Sequence, residues 1–549
     1  MALVNHEPAE LSGLLTESVG EAIVRALAAH GVTHVFGIPG THNLELYRGL
    51  RGGAEGSGIH HVTPRHEQGA GYAADAYARS TGRPGVVITT SGPGLLNALA
   101  ALGTAYADSI PVLVLSPGPA TGLERADIGW LHEVKDQRAA VDAVVARSVR
   151  CHSAEQAVAE IARTFAEWSV SRPRPVHLEI PIDVLESRTI AVAAEASVLP
   201  GIVSADTDAV ARAAAVLRAA ERPLVLAGGG AVDAGVGLAA LAELLGAPVV
   251  TTTTGKAALA ETHPLSGGVA VPYAAEALAE ADVVLVVGSE LAETDVDPDV
   301  FSELSAVVRV DISVAQLAKP VAPTVALLGH ADRVLAQLVE ALAVAGPADA
   351  VAHPDALDRA ARIRDLVRGS ASSWVPLHDA LAAALAPDTI VCGDSSQVSY
   401  RGTAPLLLQG AARSFLYPNG FATLGYAVPA AVGASLGNPG RPVLALLGDG
   451  AFLFSVQELV TAVEQGLGFT VVVLDNGGYG EIRDQMVSRD IPSLGVDLHV
   501  PDLALLARAL GCEAREAGSI ASLVEAVADS LVHPGTVPTV IVARQSAVL

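Results

Sequence analysis

The stretch RPVLALLGDGAFLFSVQELVTAVEQGLGFTVVVLDNGGYG, residues 441–480, decides how this chain is read. Val443 to Leu447 is an apolar run of strand length, and Phe469 to Leu474 is a second. Between them Ser455 to Gln465 has helical spacing, with Leu459, Val460 and Val463 on one face. The unit is strand, turn, helix, strand, with hard oxygen ligands at both strand ends. Asp449 offers a carboxylate, and Asn476, which follows Gly450 after 25 residues, offers an amide oxygen. The glycines let backbone approach a ligand closely. A helix opening after the turn presents free N–H groups to phosphate, which places Gly448, Gly450 and Ala451 among the expected contacts. An Asp and an Asn oxygen together with diphosphate oxygens suit octahedral Mg²⁺.

A second, independent stretch lies near the N-terminus. HVTPRHEQGAGYAADAYARSTGRPGVVITTSGPGLLNAL, residues 61–99, sets Glu67 just ahead of a helix of small residues. With VFGIPG (35–40) and TSGPGLLNA (90–98), it resembles the thiamine-diphosphate enzymes of the pyruvate decarboxylase and acetolactate synthase superfamily. Members bind Mg²⁺ and the cofactor through a GDG turn followed at about this spacing by Asn-Asn. Here Asp475-Asn476 stands in that place. The resemblance implies that Asp449, Asn476 and the backbone oxygen of Gly478 are the metal ligands. It implies that Glu67 touches N1′ of the aminopyrimidine as a general acid–base group. It further implies diphosphate contacts from Ser396 and Gln397 in the turn GDSSQ (393–397). Leu424, in NGFATLGYAVPAA, becomes the apolar wedge that holds the cofactor bent.

Composition agrees. A chain of 549 residues should hold about three domains on a prior of ~150 residues each. It is 51% hydrophobic and poor in aromatics, as buried parallel sheets between Ala-rich helices require. A net charge of −25 with only Lys135, Lys256 and Lys319 as lysines argues against nucleic-acid binding, which needs a basic footprint. Cys151, Cys392 and Cys512 lie far apart with no CxxC, so free thiols in a cytoplasmic protein are expected. No apolar run reaches ~18 residues, so no membrane span is expected, and the start MALVNHEPAELSG lacks a signal-peptide pattern.

Strand and helix signals alternate along the chain, which predicts parallel sheets with helices on both faces. Three α/β, doubly wound domains are drawn. Residues 1–187 form a pyrimidine-binding domain with the catalytic Glu. Residues 208–345 form a central domain. Residues 372–549 form the diphosphate- and Mg-binding domain. Linkers are read at 191–207 and about 345–356. Gly228-Gly229-Gly230 after the strand LVLA looks like a nucleotide loop, which on its own is weak evidence. Acetolactate synthases bind FAD through an arginine-bearing strand end; the corresponding end here, VGSELAETD (287–295), is acidic, so FAD is not expected.

Substrate residues follow by resemblance. Thr41 and His42 lie on a loop that faces the thiazolium in relatives, and His132 falls near C2. Glu481 points toward the substrate side. IPGTHNLELYRGL, GWLHEVKDQ, YGEIRDQMVSRDI and GVDLHVPDLALLARALGC are similar to bacterial 5-guanidino-2-oxopentanoate (2-ketoarginine) decarboxylases. That resemblance implies non-oxidative decarboxylation of a 2-oxo acid to an aldehyde, with Glu481 available to a cationic tail. The alternative is a carboligase of acetolactate synthase type. The family also implies a homodimer or homotetramer with active sites between chains.

Overall fold

The computed structural model describes residues 16–51, 56–196, 199–271, 273, 275–343 and 355–549. The N-terminal MALVNHEPAELSG reading and most of the second linker lie outside these residues. Three six-stranded sheets, all parallel, carry the fold. The first has the order His60–Val62, His34–Gly37, Gly85–Ile88, Val112–Gly118, Val176–Pro181, Arg147–Arg150. The second runs Ser266–Gly268, Val249–Thr251, Pro223–Ala227, Val283–Val287, Ala306–Asp311, Val325–Leu328. The third runs Phe415–Leu416, Ile390–Gly393, Val443–Gly448, Thr470–Asp475, Thr539–Arg544, Glu513–Ala517. The expected three α/β domains with doubly wound parallel sheets are therefore present. A short antiparallel pair, Thr16–Ser18 with Arg188–Ile190, straps the first domain beyond residue 187.

Local sequence explains the elements. Val112–Gly118 and Val283–Val287 are buried along their whole length, as central strands covered on both faces must be. Helix Val19–Ala29 opens on a capping box in which Ser18 and Glu21 satisfy each other's backbone N–H groups. Helix Glu67–Thr81 is nearly all small residues on its inner faces, so helix Ala427–Gly437 of the third domain can lie tightly against it. A β-carbon at Gly433 would come within 2.0 Å of the Ala73 carbonyl oxygen. First and third domains thus share one core, to which Tyr72 and Ala76 contribute from one side and Tyr426 to Ala434 from the other.

One expectation is corrected. The region after the GDG turn is not one helix from Ser455 to Gln465 but two, Asp449–Ser455 and Glu458–Glu464. The buried face of the second holds Glu458, Leu459, Thr461 and Ala462, while Val460 and Val463 are only half-buried. A buried carboxylate displaced the apolar stripe because it has work on a neighbouring helix, described below. The glycines of Gly228–Gly230 form no open cradle. A β-carbon on Gly228 would meet the Gly288 carbonyl oxygen at 2.4 Å, and one on Gly230 the Gly288 Cα at 2.9 Å. They let two strand-end turns of the central domain pack backbone to backbone.

Candidate active site

The C-terminal strand ends of the third sheet gather the GDG and Asn residues. Gly448 ends its strand and Asp449 opens the next helix at once. Asp449 is 1% exposed; its Oδ1 accepts from the Asn476 backbone N at 3.3 Å, and its Oδ2 is buried with no hydrogen-bond partner. Burial raises its pKa from the ordinary carboxylate value. The Asn476 amide head lies 3.3 Å from Asp449 Oδ1 and 2.9 Å from the Gly478 carbonyl oxygen. Gly478 has φ 139°, and a β-carbon there would sit 2.1 Å from the Val496 carbonyl oxygen, so only glycine fits. The Asp449 carboxylate, the Asn476 amide and the Gly478 carbonyl therefore converge. Neighbouring ligands of an octahedral ion with bonds of ~2.1 Å lie about 3.0 Å apart, which these spacings match. Among the described residues no trio of His, Cys, Asp or Glu forms a metal cluster; this donor set is sparser and all oxygen.

Ser396 and Gln397 sit beside that point and behave differently. Ser396 Oγ accepts from the Gly448 N–H at 3.0 Å, tying the two strand ends together. Gln397 turns away, and its Nε2 donates to Glu481 Oε2 at 3.2 Å and Asp484 Oδ2 at 2.8 Å. Glu481 is the hub of a polar cluster: its Oε2 also accepts from Tyr400 at 2.8 Å and from Arg401 at 2.6 Å. Burial raises its pKa, but donors from Gln485, Tyr400 and Gln397 and the Arg401 charge outweigh this and hold it low. Tyr400 and Arg401 lie in a π-helical turn, Val398–Thr403. Such turns recur at functional sites. The sequence reading missed both residues, since nothing in local spacing announces a π turn. Gly450 and Ala451 lie in the first turn of their helix, and Gly450 carries no side chain where Tyr479 packs.

Leu424 is half-buried at the edge of the shared core. Its loop is fixed by Asp394, a fully buried carboxylate whose pKa burial raises to about 6. Asp394 accepts from Gly425 N at 3.1 Å and Ala427 N at 2.8 Å. The sequence reading passed over Asp394, because a carboxylate in a turn looks like any other.

The first domain supplies the other group. Glu67 is the first residue of its helix, 9% exposed, and Asn97 Nδ2 donates to its Oε2 at 3.0 Å. Its approach is held by Glu458 of the third domain, whose carboxylate accepts from the backbone N–H of Arg65 at 3.1 Å and of His66 at 3.0 Å. Nearby, Ser91 Oγ lies 2.6 Å from His42 Nδ1 and 3.4 Å from His132 Nδ1. The His42 ring stacks on Trp130 at 4.8 Å and meets His132 edge-on at 5.1 Å. Burial, then the His132 charge, lowers the His42 pKa. Thr41 is exposed at the same turn and joins none of these bonds. Gln137 props the site by accepting from Gly92 N at 2.7 Å and donating to Glu179 at 2.7 Å. Ser91, Trp130, Asn97 and Gln137 were not read from sequence as site residues; only tertiary packing joins them. Among the described residues, no hydrogen bond or ion pair links the Glu67 group to the Asp449 group within the chain.

A GDG turn with convergent oxygens and a buried glutamate opening a helix stand at the positions the sequence resemblance singled out. The chain belongs to the thiamine pyrophosphate (diphosphate) enzyme family. Residues 17–140 match its N-terminal TPP binding domain, residues 210–338 its central domain and residues 400–543 its C-terminal TPP binding domain. A protein of Pseudomonas aeruginosa named "Probable 2-ketoarginine decarboxylase AruI" is 44% identical over 510 residues, 91% of this chain and 89% of that one. An acetolactate synthase of Arthrospira platensis is 30% identical, covering 90% of this chain and 88% of its own. An acetolactate synthase large subunit of Corynebacterium glutamicum is 31% identical, covering 90% and 81%.

Proposed function

We propose that this protein is a Mg²⁺- and thiamine-diphosphate-dependent decarboxylase that converts a 2-oxo acid to an aldehyde, with 5-guanidino-2-oxopentanoate as the best substrate. The carrying observation is the 44% identity over 91% of the chain to a protein named for 2-ketoarginine decarboxylation, against 30–31% to acetolactate synthases. The bound cofactor supplies a carbon nucleophile that also accepts the electrons left when CO₂ departs. Glu67 would hold and exchange the proton at the aminopyrimidine ring. Asp449, Asn476 and Gly478 would hold Mg²⁺, and Gly448, Gly450, Ala451 and Ser396 would surround the diphosphate. Gln397 supports Glu481 rather than the diphosphate on this reading. Leu424 would press against the cofactor between its rings.

The Ser91 hydroxyl carries one proton and faces two imidazole nitrogens. It can donate to one Nδ1 while accepting from the other, so His42 and His132 hold complementary tautomers. One Nε2 then carries a proton and the other a lone pair, so the pair presents one hydrogen-bond donor and one acceptor to a ligand. Glu481 would receive the substrate's cationic tail in exchange for Arg401.

On the family resemblance we read the protein as a homodimer or homotetramer in which a second copy completes each site. Light scattering of fully active protein at nanomolar concentration checks this, and a monomeric mass overturns it. We read the protein as cytoplasmic, with its three cysteines reduced; all three are buried. Among the described residues no helix is long and apolar enough to cross a membrane. The packed Gly228–Gly230 turn and acidic 287–295 segment support a central domain without FAD; absorbance near 450 nm tests it. Product analysis with a panel of 2-oxo acids tests the whole reading. Release of 4-guanidinobutanal and CO₂ is expected, and acetolactate from pyruvate as the main product would favour the carboligase.

A further inference from the structure

Strands Thr470–Asp475 and Thr539–Arg544 pair in register, with Asp475 opposite Arg544. Their side chains form an ion pair at 2.9 Å, in which Asp475 is 7% and Arg544 74% exposed. Asp475 stands where the sequence resemblance leads one to expect an Asn, and the pair gives that change a structural purpose. It fastens the two strand ends, so the next residues, Asn476 and Gln545, emerge side by side. Asn476 Nδ2 and Gln545 Oε1 are 3.2 Å apart.

This contact bears on the oxygen cluster. A carboxamide has two faces of nearly equal shape and opposite polarity. When Asn476 gives its N–H to Gln545, its Oδ1 faces Asp449 Oδ1 at 3.3 Å and the Gly478 carbonyl at 2.9 Å. The Asn476 side chain then places no hydrogen among those three oxygens, so their contacts are mutually repulsive and suit a cation. When the amide turns over, its nitrogen donates to both Asp449 and Gly478, and its oxygen faces Gln545 Oε1. That second arrangement is satisfied only if Gln545 turns as well and presents its own N–H. The orientation of the Gln545 amide therefore favours either an oxygen-lined cluster or one plugged by an N–H.

We infer that Gln545 is a positioning residue that sets the orientation of the Asn476 amide and thereby tunes the affinity of the Asp449–Asn476–Gly478 cluster for a divalent cation. This rests on the proposed Mg²⁺ role of that cluster. A ligand presented in one orientation half the time binds as if the competent state were only partly populated. Outer partners of metal ligands commonly change affinity by about 10–100-fold when removed.

The test is calorimetric titration of Mg²⁺ into the full-length protein at saturating thiamine diphosphate. Gln545→Met removes the amide at similar volume and is expected to raise the Mg²⁺ Kd about tenfold or more. Gln545→Glu is an acceptor only, so it holds Asn476 open and is expected to bind Mg²⁺ at least as tightly as wild type. Unchanged affinity in Gln545→Met, or weak binding in Gln545→Glu, overturns the inference. Thermal midpoints without cofactor show whether each variant is folded; if Gln545→Met is not, Gln545→Glu alone decides. Asp449→Ala separates the two levels. If it retains Mg²⁺ affinity, the metal reading fails. If it loses affinity while Gln545→Met keeps it, the role of Gln545 fails.

Discussion

Glu67 and Glu481 are both buried or half-buried carboxylates, yet their surroundings assign them different work. Glu67 accepts from Asn97 and opens a helix, and on the proposed function its carboxylate serves the aminopyrimidine ring. Glu67→Gln is expected to lower turnover by at least 10²-fold, the usual span of a positioned acid–base group. Thiamine diphosphate binding should persist, because the proposed function puts the diphosphate and metal contacts on other residues. Near-normal decarboxylation by this variant would refute the assignment. Glu481 already carries the charge of Arg401, and its side chain is 28% exposed. A guanidinium substrate would exchange one cation for another at a wet carboxylate, where ion pairs are worth about 0.2–1 kcal/mol. Glu481→Gln should therefore reduce kcat/KM for 5-guanidino-2-oxopentanoate about two- to fivefold more than for 2-oxopentanoate. The ratio removes general damage to catalysis. Equal losses would assign Glu481 to holding Tyr400 and Arg401 instead.

At the scale of elements, the contact between helices Glu67–Thr81 and Ala427–Gly437 positions Glu67 from outside its own domain. The approach is close because Gly433 leaves no β-carbon opposite Ala73. Gly433→Ala is expected to force the helices apart, at about 1–3 kcal/mol for overpacking, and to lower the thermal midpoint. Gly369, exposed near the end of helix Ala356–Ser370, has nothing within 4 Å of the same added carbon. Gly369→Ala should instead stabilise by about 0.5–1 kcal/mol through helix propensity alone. Differential calorimetry of the two variants compares them directly, and a stable Gly433→Ala protein would mean that the helix contact yields easily.

On the scale of the whole molecule, the three domains meet at Asp295 of the central one. Its carboxylate accepts from Asn419 of the third domain at 3.3 Å and faces Asp108 of the first. Burial, then the Asp108 charge, raises its pKa from 3.8 to about 7. A carboxyl with a raised folded-state pKa keeps a proton that the unfolded chain gives up. Its contribution is fully present below about pH 4 and is lost as pH rises to about 7. At ~1.4 kcal/mol per pH unit the loss has a ceiling of about 4 kcal/mol. Asp295→Asn stays neutral throughout, so it should gain stability over wild type between pH 5 and pH 8. A thermal midpoint difference that does not change with pH would remove Asp295 from the account.

The sequence alone determined the class of fold and the family, and it supplied the expected cofactor residues that the proposed function rests on. Apolar runs of strand length fix where strands lie, and a GDG turn with a spaced Asn needs only its own strand–helix–strand unit to bring ligands together. Such local, periodic signals survive in one dimension. What only the tertiary structure decided lies between elements distant in the chain. Glu458 reaches over to the backbone ahead of Glu67, Ser91 bridges His42 and His132, Arg401 fills the Glu481 carboxylate, and Gln545 faces Asn476. The physical reason is that each of these side chains is an ordinary Glu, Ser, Arg or Gln whose role is set by burial and by a partner across a packed interface. Spacing along the chain carries no record of that partner.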